Sequence, residues 1–278
     1  MDKVLIFQKA NHDDARTLAN DIRDFFNKQG IKNHIANADD KADIYSGVDL
    51  AIVIGGDGTF LGAVRTLGSM IPVEKQMPPI LGINTGSLGF LTESSINEWK
   101  EVIKKGLERG FIIEERSMLG VSIGDDKNQY SVLNDVVINR KDVARMIDFD
   151  VYYNGEFVSN TKADGVIVST PTGSTAYSLA AGGPILHPSI PAFVITPVSP
   201  HTLTNRPIVV ADNGVIDVQI RTPKEDLLVT LDGQKGVFTT ADQKIQIKKF
   251  CRNLRLVRPN DATYFNILRN KLSFGKRG

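Results

Sequence analysis

The chain has 278 residues, with 33 basic against 32 acidic side chains for a net charge of +1, and its 41% hydrophobic content is that of a globular protein. That balance excludes a strongly basic nucleic-acid-binding domain and an acidic disordered tail. The single cysteine, Cys251, excludes an internal disulfide and a thiolate metal cluster. No run approaches the ~18 apolar residues of a membrane span. The opening "MDKVLIFQK" is too short an apolar run for a signal peptide, so the chain reads as cytoplasmic, with neither membrane nor nucleic acid as partner.

From the amino end, "KVLIF" (3–7) predicts a buried strand. In "DDARTLANDIRDFFNKQG", Leu18, Ile22, Phe25 and Phe26 fall at helical spacing, opened by Asp13 and Asp14 and closed by Gly30. "KNHIA" and "VDLAIVI" (48–54) predict strands, "TFLGAVRTLG" a helix, "PILGIN" (79–84) a strand and "SINEWKEVIKKGLERG" a helix. Such alternation predicts a parallel sheet covered on both faces. After about residue 112 the pattern changes to short Val-, Ile- and Tyr-rich runs, among them "LGVSI", "YSVLNDVVINR", "IDFDVYY", "DGVIVST", "AFVIT", "GVIDVQI" and "DLLVTLD". "YNGEF" (153–157) signals a hairpin, and "DNG" (212–214) and "LDGQKG" (231–236) further turns. One helix-like stretch, "STAYSLAAGG" (174–183), interrupts them. "DATYFNILRNKL" predicts a last helix returning to the first domain. The expected organisation is an α/β domain over 1–112, completed by 250–278, and a β-rich domain over 113–249.

The chemistry centres on "AIVIGGDGTFLGA" (51–63), where a strand runs into three glycines with Asp57 among them. A glycine loop at the carboxyl end of a parallel strand, leading into a helix, suits phosphate oxygens. The Walker pattern is absent, and the dinucleotide fingerprint fails because Gly62 comes one residue late after Gly56 and Gly58. Asp57 is poorly placed to bind phosphate. It suits a proton acceptor for an attacking hydroxyl or an orienter of Mg²⁺, or else a cap for the next helix.

Other loops follow predicted strands in the same way. "GINTGSLGFL" (82–91) carries Asn84, Thr85, Gly86, Ser87 and Gly89, and Phe90 either stacks on a purine or fills the core. In "VIVSTPTGSTAYSLAAGG" (166–183), Thr172, Gly173, Ser174 and Thr175 form a row of hydroxyls and amides, or a plain loop. Ser174 lies outside a G-x-S-x-G elbow with no histidine placed to activate it, which excludes a serine hydrolase. Asn134 and Asp135, inside an apolar strand, mark a strand-end turn or a grip on a sugar hydroxyl. The histidines at 12, 34, 187 and 201 show no metal-ligand spacing, so no protein-held zinc is expected.

Taken together, "GGDGTFL" (55–61), "GINTGSLGFL", "LNDVVI" (133–138), "KADGVIVSTPTGSTAYSLAAGGPILHP" (162–188), "PHTLTNRP" (200–207) and "LDGQ" (231–234) resemble the NAD kinase family over most of the chain. "GGDG" alone is shared with lipid kinases; the long central segment is specific. The resemblance implies an α/β domain with a parallel sheet, an all-β sandwich-like C-terminal domain, a tail returning to the first domain, and a site in the cleft between them. It implies Mg-dependent transfer of the terminal phosphate of ATP, or in some members polyphosphate, to the 2′-hydroxyl of the adenosine ribose of NAD. Asp57 matches the proton acceptor. Asn134 and Asp135 match the pair on the nicotinamide-side ribose, where many relatives have Glu at the second position. Asp164 matches an acid at the nicotinamide end, often reaching a neighbouring subunit. Arg145 and Lys162 match basic contacts. Gly58, Thr175, Ala176, Tyr177, Ser178, Ala180 and Gln234 match further NAD contacts. Gly55, Gly56, Thr59, Asn84 and Phe90 fall to the phosphates and base of ATP. The resemblance also implies self-association, since members are usually dimers or tetramers. ATP, NAD and Asp57 are all negative and no dense basic cluster adjoins the glycine loop, so Mg²⁺ is expected to be held mainly by phosphate oxygens, its protein ligands unassigned.

Overall fold

The computed structural model describes residues 1–124, 129–141, 146–202, 204–222, 226–259, 263–273 and 275. The chain forms two units, Met1–Glu115 with Leu254–Gly278, and Arg116–Asn253.

The first unit alternates strand and helix: β1 (Lys3–Gln8), α1 (Asp13–Lys28), β2 (Lys32–Ile35), β3 (Leu50–Ile54), α2 (Asp57–Met70), β4 (Ile80–Asn84), β5 (Ser94–Ser95), α3 (Trp99–Arg109) and β6 (Ile112–Arg116). Every residue of β3 and β4 is buried, as a parallel sheet with both faces covered requires. On one face Ala15, Leu18, Ala19, Ile22 and Phe26 of α1 pack on Val4, Ile6, Leu50, Ile52 and Ile54. Each such side chain, fully buried, contributes about 1.5–3 kcal/mol for the largest of them. His12 caps α1, its Nδ1 accepting from the Ala15 N–H, and Gly30 follows the helix at a φ of 70°.

The second unit is all strand apart from one short interruption: β7 (Leu119–Ile123), β8 (Tyr130–Val132), β9 (Asp135–Arg140), β10 (Ile147–Tyr153), β11 (Glu156–Ala163), β12 (Gly165–Ser169), α4 (Tyr177–Ala180), β13 (Ala192–Val198), β14 (Ile208–Ala211), β15 (Val215–Ile220), β16 (Asp226–Leu231), β17 (Lys235–Thr240) and β18 (Ile245–Lys249). They make two six-stranded sheets, ordered β11-β10-β15-β18-β7-β8 and β14-β13-β12-β9-β16-β17, with antiparallel pairing. Inward residues of both sheets, including Val121, Phe149 and Ile247 from one and Val136, Val168, Phe193 and Val229 from the other, share one core, a sandwich. Asn154 and Gly155 take φ values of 53° and 80° and close the β10–β11 hairpin, as "YNGEF" predicts.

The chain then returns to the first unit. β19 (Leu254–Arg258) lies between β4 and β6, completing the order β2-β1-β3-β4-β19-β6 with β5 beside β4, and α5 (Tyr264–Leu272) follows. The pairings of β1 with β2 and β3, of β3 with β4, and of β4 with β19 are parallel. No helix among the described residues is long and apolar enough to cross a membrane.

Two local expectations change. The stretch 174–183 is not one helix: a 3-10 turn (Gly173–Thr175) and α4 are separated at Ala176, whose φ of −100° and ψ of −129° interrupt the spiral. Asn134 is not within a strand but in a bend between β8 and β9, because its N–H and its neighbours' turn toward the side chain of Asp232 in the β16–β17 turn.

Candidate active site

In the first unit, β1, β3 and β4 are adjacent and parallel, so the loops at their carboxyl ends converge. Lys9 follows β1 and donates its N–H to Ile54, and Gly55 follows β3 and donates to Ile83. Gly55 has a φ of 152°, and a Cβ there would lie 2.5 Å from Thr59 Oγ1, so only glycine makes this turn into α2. Gly56, with a φ of −94°, is the N-cap, and Gly58 lies in the helix itself; neither uses the positive φ that the glycine run suggests.

Asp57 does not cap α2. Its carboxylate reaches the loop after β4: Oδ2 accepts from the Phe90 N–H at 2.8 Å, and Oδ1 from the Leu91 N–H at 3.1 Å and the Thr92 hydroxyl at 3.1 Å. Asn84 Nδ2 donates to Thr92 Oγ1 at 2.7 Å, and Asn84 Oδ1 accepts from Gly86 N–H at 2.6 Å, so the loop is itself braced. A Cβ on Gly89 would stand 2.0 Å from Asp57 Oδ1. The carboxylate borders a cavity of about 330 Å³ lined by Lys9, His12, Gly56, Asn84, Thr85 and Lys271, among others.

In the second unit, Asp135 begins β9 opposite Ser169 of β12. Its carboxyl is 4% exposed. Burial first and the neighbouring Asp232 second push it up to about 7, partly offset by the Tyr177 N–H donated to it. The Asp232 carboxylate accepts from the N–H groups of Leu133, Asn134 and Asp135 at 3.1, 2.6 and 3.3 Å. Thr170 ties the same turn from the other side, its N–H donating to Asn134 O at 2.9 Å and its hydroxyl to Leu133 O at 2.6 Å. A Cβ on Gly173 would meet Asn134 O at 2.0 Å. Lys162 and Asp164 flank buried Ala163 and are both exposed.

Two family models match the chain: the ATP-NAD kinase N-terminal domain over residues 15–111 and the ATP-NAD kinase C-terminal domain over 133–259. An NAD kinase of Citrifermentans bemidjiense is 40% identical, with 100% of both chains covered. The chain belongs to the NAD kinase family. Among solved structures, yeast NADH kinase complexed with NADH superposes with a TM-score of 0.88 at 25% identity, covering 100% of this chain and 89% of that one. An NAD kinase from Archaeoglobus fulgidus in complex with ATP superposes at 0.80 and 26% identity, covering 98% and 99%. As a member of the NAD kinase family this chain is an enzyme, a phosphoryl transferase.

The residues that the NAD kinase resemblance singles out are distributed between the two units. Gly56, Asp57 and Asn84 line the cavity of the first unit; Gly55, Gly58, Thr59 and Phe90 are outside its lining, with Phe90 serving through its backbone N–H. In the second unit, Asn134 adjoins Asp135 in the chain, Tyr177 donates its N–H to the Asp135 carboxyl, and Gln234 closes the turn that carries Asp232. Ser178 is fully buried and its hydroxyl pairs with Thr196 at 3.0 Å, while Ala176 is half-buried and Tyr177 and Ala180 are exposed. Thr175 spends its hydroxyl on Thr172 O. Arg145 lies outside the described residues. Thr92, Lys9, His12, Lys271 and Asp232 join these groups without a motif to announce them; only "LDGQ", as an Asp-Gly turn, hinted at the last.

Proposed function

We propose that this enzyme transfers the terminal phosphoryl group of ATP to the 2′-hydroxyl of the adenosine ribose of NAD, giving NADP and ADP, with Asp57 as proton acceptor. The observation that carries this reading is the clamped carboxylate of Asp57 on the rim of a cavity of about 330 Å³. The ribose oxygen bonds to the γ-phosphorus as the bond from that phosphorus to the β–γ bridging oxygen breaks. The electron pair leaves with ADP, and the hydroxyl proton passes to Asp57. A carboxylate that cannot rotate presents its remaining lone pairs in one direction, and such alignment accounts for much of the rate.

Lys9, Lys271 and the amino end of α2 support the reading by offering countercharge to phosphates in the same cavity. No three His, Cys, Asp or Glu side chains among the described residues gather as a metal cage, and Asp57 is the one carboxylate in the described lining of that cavity. That donor set fits an Mg²⁺ carried on phosphate oxygens, with Asp57 as the one protein carboxylate near it, and the ion's contribution is neutralisation of phosphate charge. In the second unit Asn134 and Asp135 take the nicotinamide-side ribose, with Lys162, Asp164, Tyr177 and Gln234 as further NAD contacts. The reading includes self-association as a homodimer or homotetramer, which sedimentation checks.

The purified protein is expected to form NADP from NAD, Mg²⁺ and ATP, with polyphosphate as a parallel donor arm. Asp57→Asn is expected to lower turnover by ~10²–10⁴ while NAD still binds. Since Asn offers one acceptor oxygen to three donors, Thr92→Val serves as the control: it loosens the clamp, keeps the carboxylate, and is expected to cost far less. Near-normal turnover of a folded Asp57→Asn protein would remove Asp57 from this role.

A further inference from the structure

Asp232 stands at the tip of the β16–β17 hairpin with a φ of 51°, a left-handed conformation that non-glycine residues adopt at a cost. Its side chain is 6% exposed. It faces the segment before β9, where three consecutive N–H groups, those of Leu133, Asn134 and Asp135, converge on the two carboxylate oxygens at 2.6 to 3.3 Å. Its own N–H returns a hydrogen bond to Asp135 O at 2.9 Å. Three successive amides curled about one anion form a nest, and a buried anion so held fixes the backbone around it. The segment has little freedom left, since Thr170 holds its carbonyls and Gly173 packs against Asn134.

The same carboxylate is the charge beside Asp135. From β12 the residue facing Asp135 is Ser169, which does not titrate in this range; from α4 it is Tyr177, through its N–H; from the β16–β17 turn it is Asp232. The buried guanidinium of Arg116 donates to Thr172 Oγ1 at 3.3 Å. Asp232 is therefore the charged neighbour that opposes ionisation of Asp135, in addition to burial.

We propose that Asp232 is a positioning residue for NAD: it sets the Asn134–Asp135 pair by capping the turn that carries it, and it places a second carboxyl beside Asp135. This rests on the reading of Asn134 and Asp135 as ribose-holding residues. A ribose hydroxyl that donates to Asp135 needs the ionised carboxylate, so NAD binding draws Asp135 toward its charged form. NAD affinity then rises with pH through the neighbourhood of pH 7 and falls on the acid side. Removing the Asp232 charge lets Asp135 ionise at lower pH and moves that transition to the acid side.

The test is the pH dependence of NAD binding by calorimetry, on the full chain, for wild type, Asp232→Asn, Asp135→Asn and Asn134→Ala. The expected result is a wild-type transition near pH 7. In Asp232→Asn it moves to lower pH, with NAD affinity weakened about tenfold on the alkaline plateau through the lost amide nest and the KM for ATP unchanged. A uniform loss of affinity with an unmoved transition reduces Asp232 to general structure and overturns the proposal, as does wild-type binding by Asp232→Asn. If Asp232→Asn fails to fold, Asp232→Ser, which also removes the charge and keeps an acceptor oxygen, takes its place: a transition moved to lower pH is expected, and an unmoved transition overturns the proposal. Failure of the underlying reading looks different: Asn134→Ala and Asp135→Asn then bind NAD as the wild type does, whatever Asp232→Asn does.

Discussion

Asp135 carries its proton about three pH decades beyond the ordinary carboxylate value of 3.8, held at about 7 by burial and by Asp232. Below about pH 4 both folded and unfolded chains are protonated at this residue and it contributes nothing. Between about pH 4 and 7 the unfolded chain ionises while the folded one does not, so the folded state binds more protons and stability falls as pH rises. Above about pH 7 the deficit is complete, and the interval between the two values sets its ceiling at about 4 kcal/mol, divided between two interacting carboxyls. Asp135→Asn keeps an oxygen for the Tyr177 N–H and cannot ionise. Urea melts are expected to find this variant no more stable than wild type near pH 4 and more stable by a few kcal/mol at pH 8. A variant less stable than wild type at alkaline pH would mean that Asp135 is ionised in the folded protein throughout.

β19 lies in the 250–278 stretch expected to complete the α/β domain, where the sequence predicts no strand, and its longest-range interaction is hidden as well. Its apolar residues Leu254, Leu256 and Val257 are buried. Its last residue, Arg258, is 7% exposed and donates to Glu93 Oε1 at 2.5 Å, a partner 165 residues earlier, with Glu114 Oε2 at 3.4 Å. A pair so distant leaves no trace in local sequence, and the same holds for Asp57 with Phe90, Leu91 and Thr92, or Asp232 with Leu133 to Asp135. Strands, helices and the Asn-Gly hairpin are written in neighbouring residues and are read from them. The donors that turn Asp57 into a fixed group are backbone amides, which every residue has, so no residue type marks them. The countercharge of Lys9 and Lys271 comes from near the two ends of the sequence, which is why the glycine loop looked short of basic groups. Arg258→Ala removes from Glu93, itself 5% exposed, the buried guanidinium that donates to it. The expected cost is about 3–5 kcal/mol in a denaturant melt. Arg258→Ala together with Glu93→Gln should recover part of that, and a single variant within about 0.5 kcal/mol of wild type would make the pair dispensable.

At the scale of the whole molecule the two units differ in how the chain builds them. Every residue of the sandwich core, from Leu119 to Ile247, lies within Arg116–Asn253, and both of its sheets are made only from that segment. The α/β unit is discontinuous: β19, between β4 and β6, comes from after the sandwich. Without it, β4 loses one ladder partner, β6 loses its neighbour, and the buried apolar faces of Leu254, Leu256 and Val257 are missing from the fold. Residues 116–253 expressed alone are therefore expected to fold, giving a cooperative thermal transition and dispersed amide resonances in a ¹H–¹⁵N spectrum. Residues 1–115 alone are expected to give neither, and to gain both when residues 254–278 are joined to them through a flexible linker. A cooperative transition in 1–115 by itself would show that β19 is an addition to that sheet rather than part of its core. Failure of 116–253 to fold would mean that its sandwich depends on the other unit despite a self-contained core.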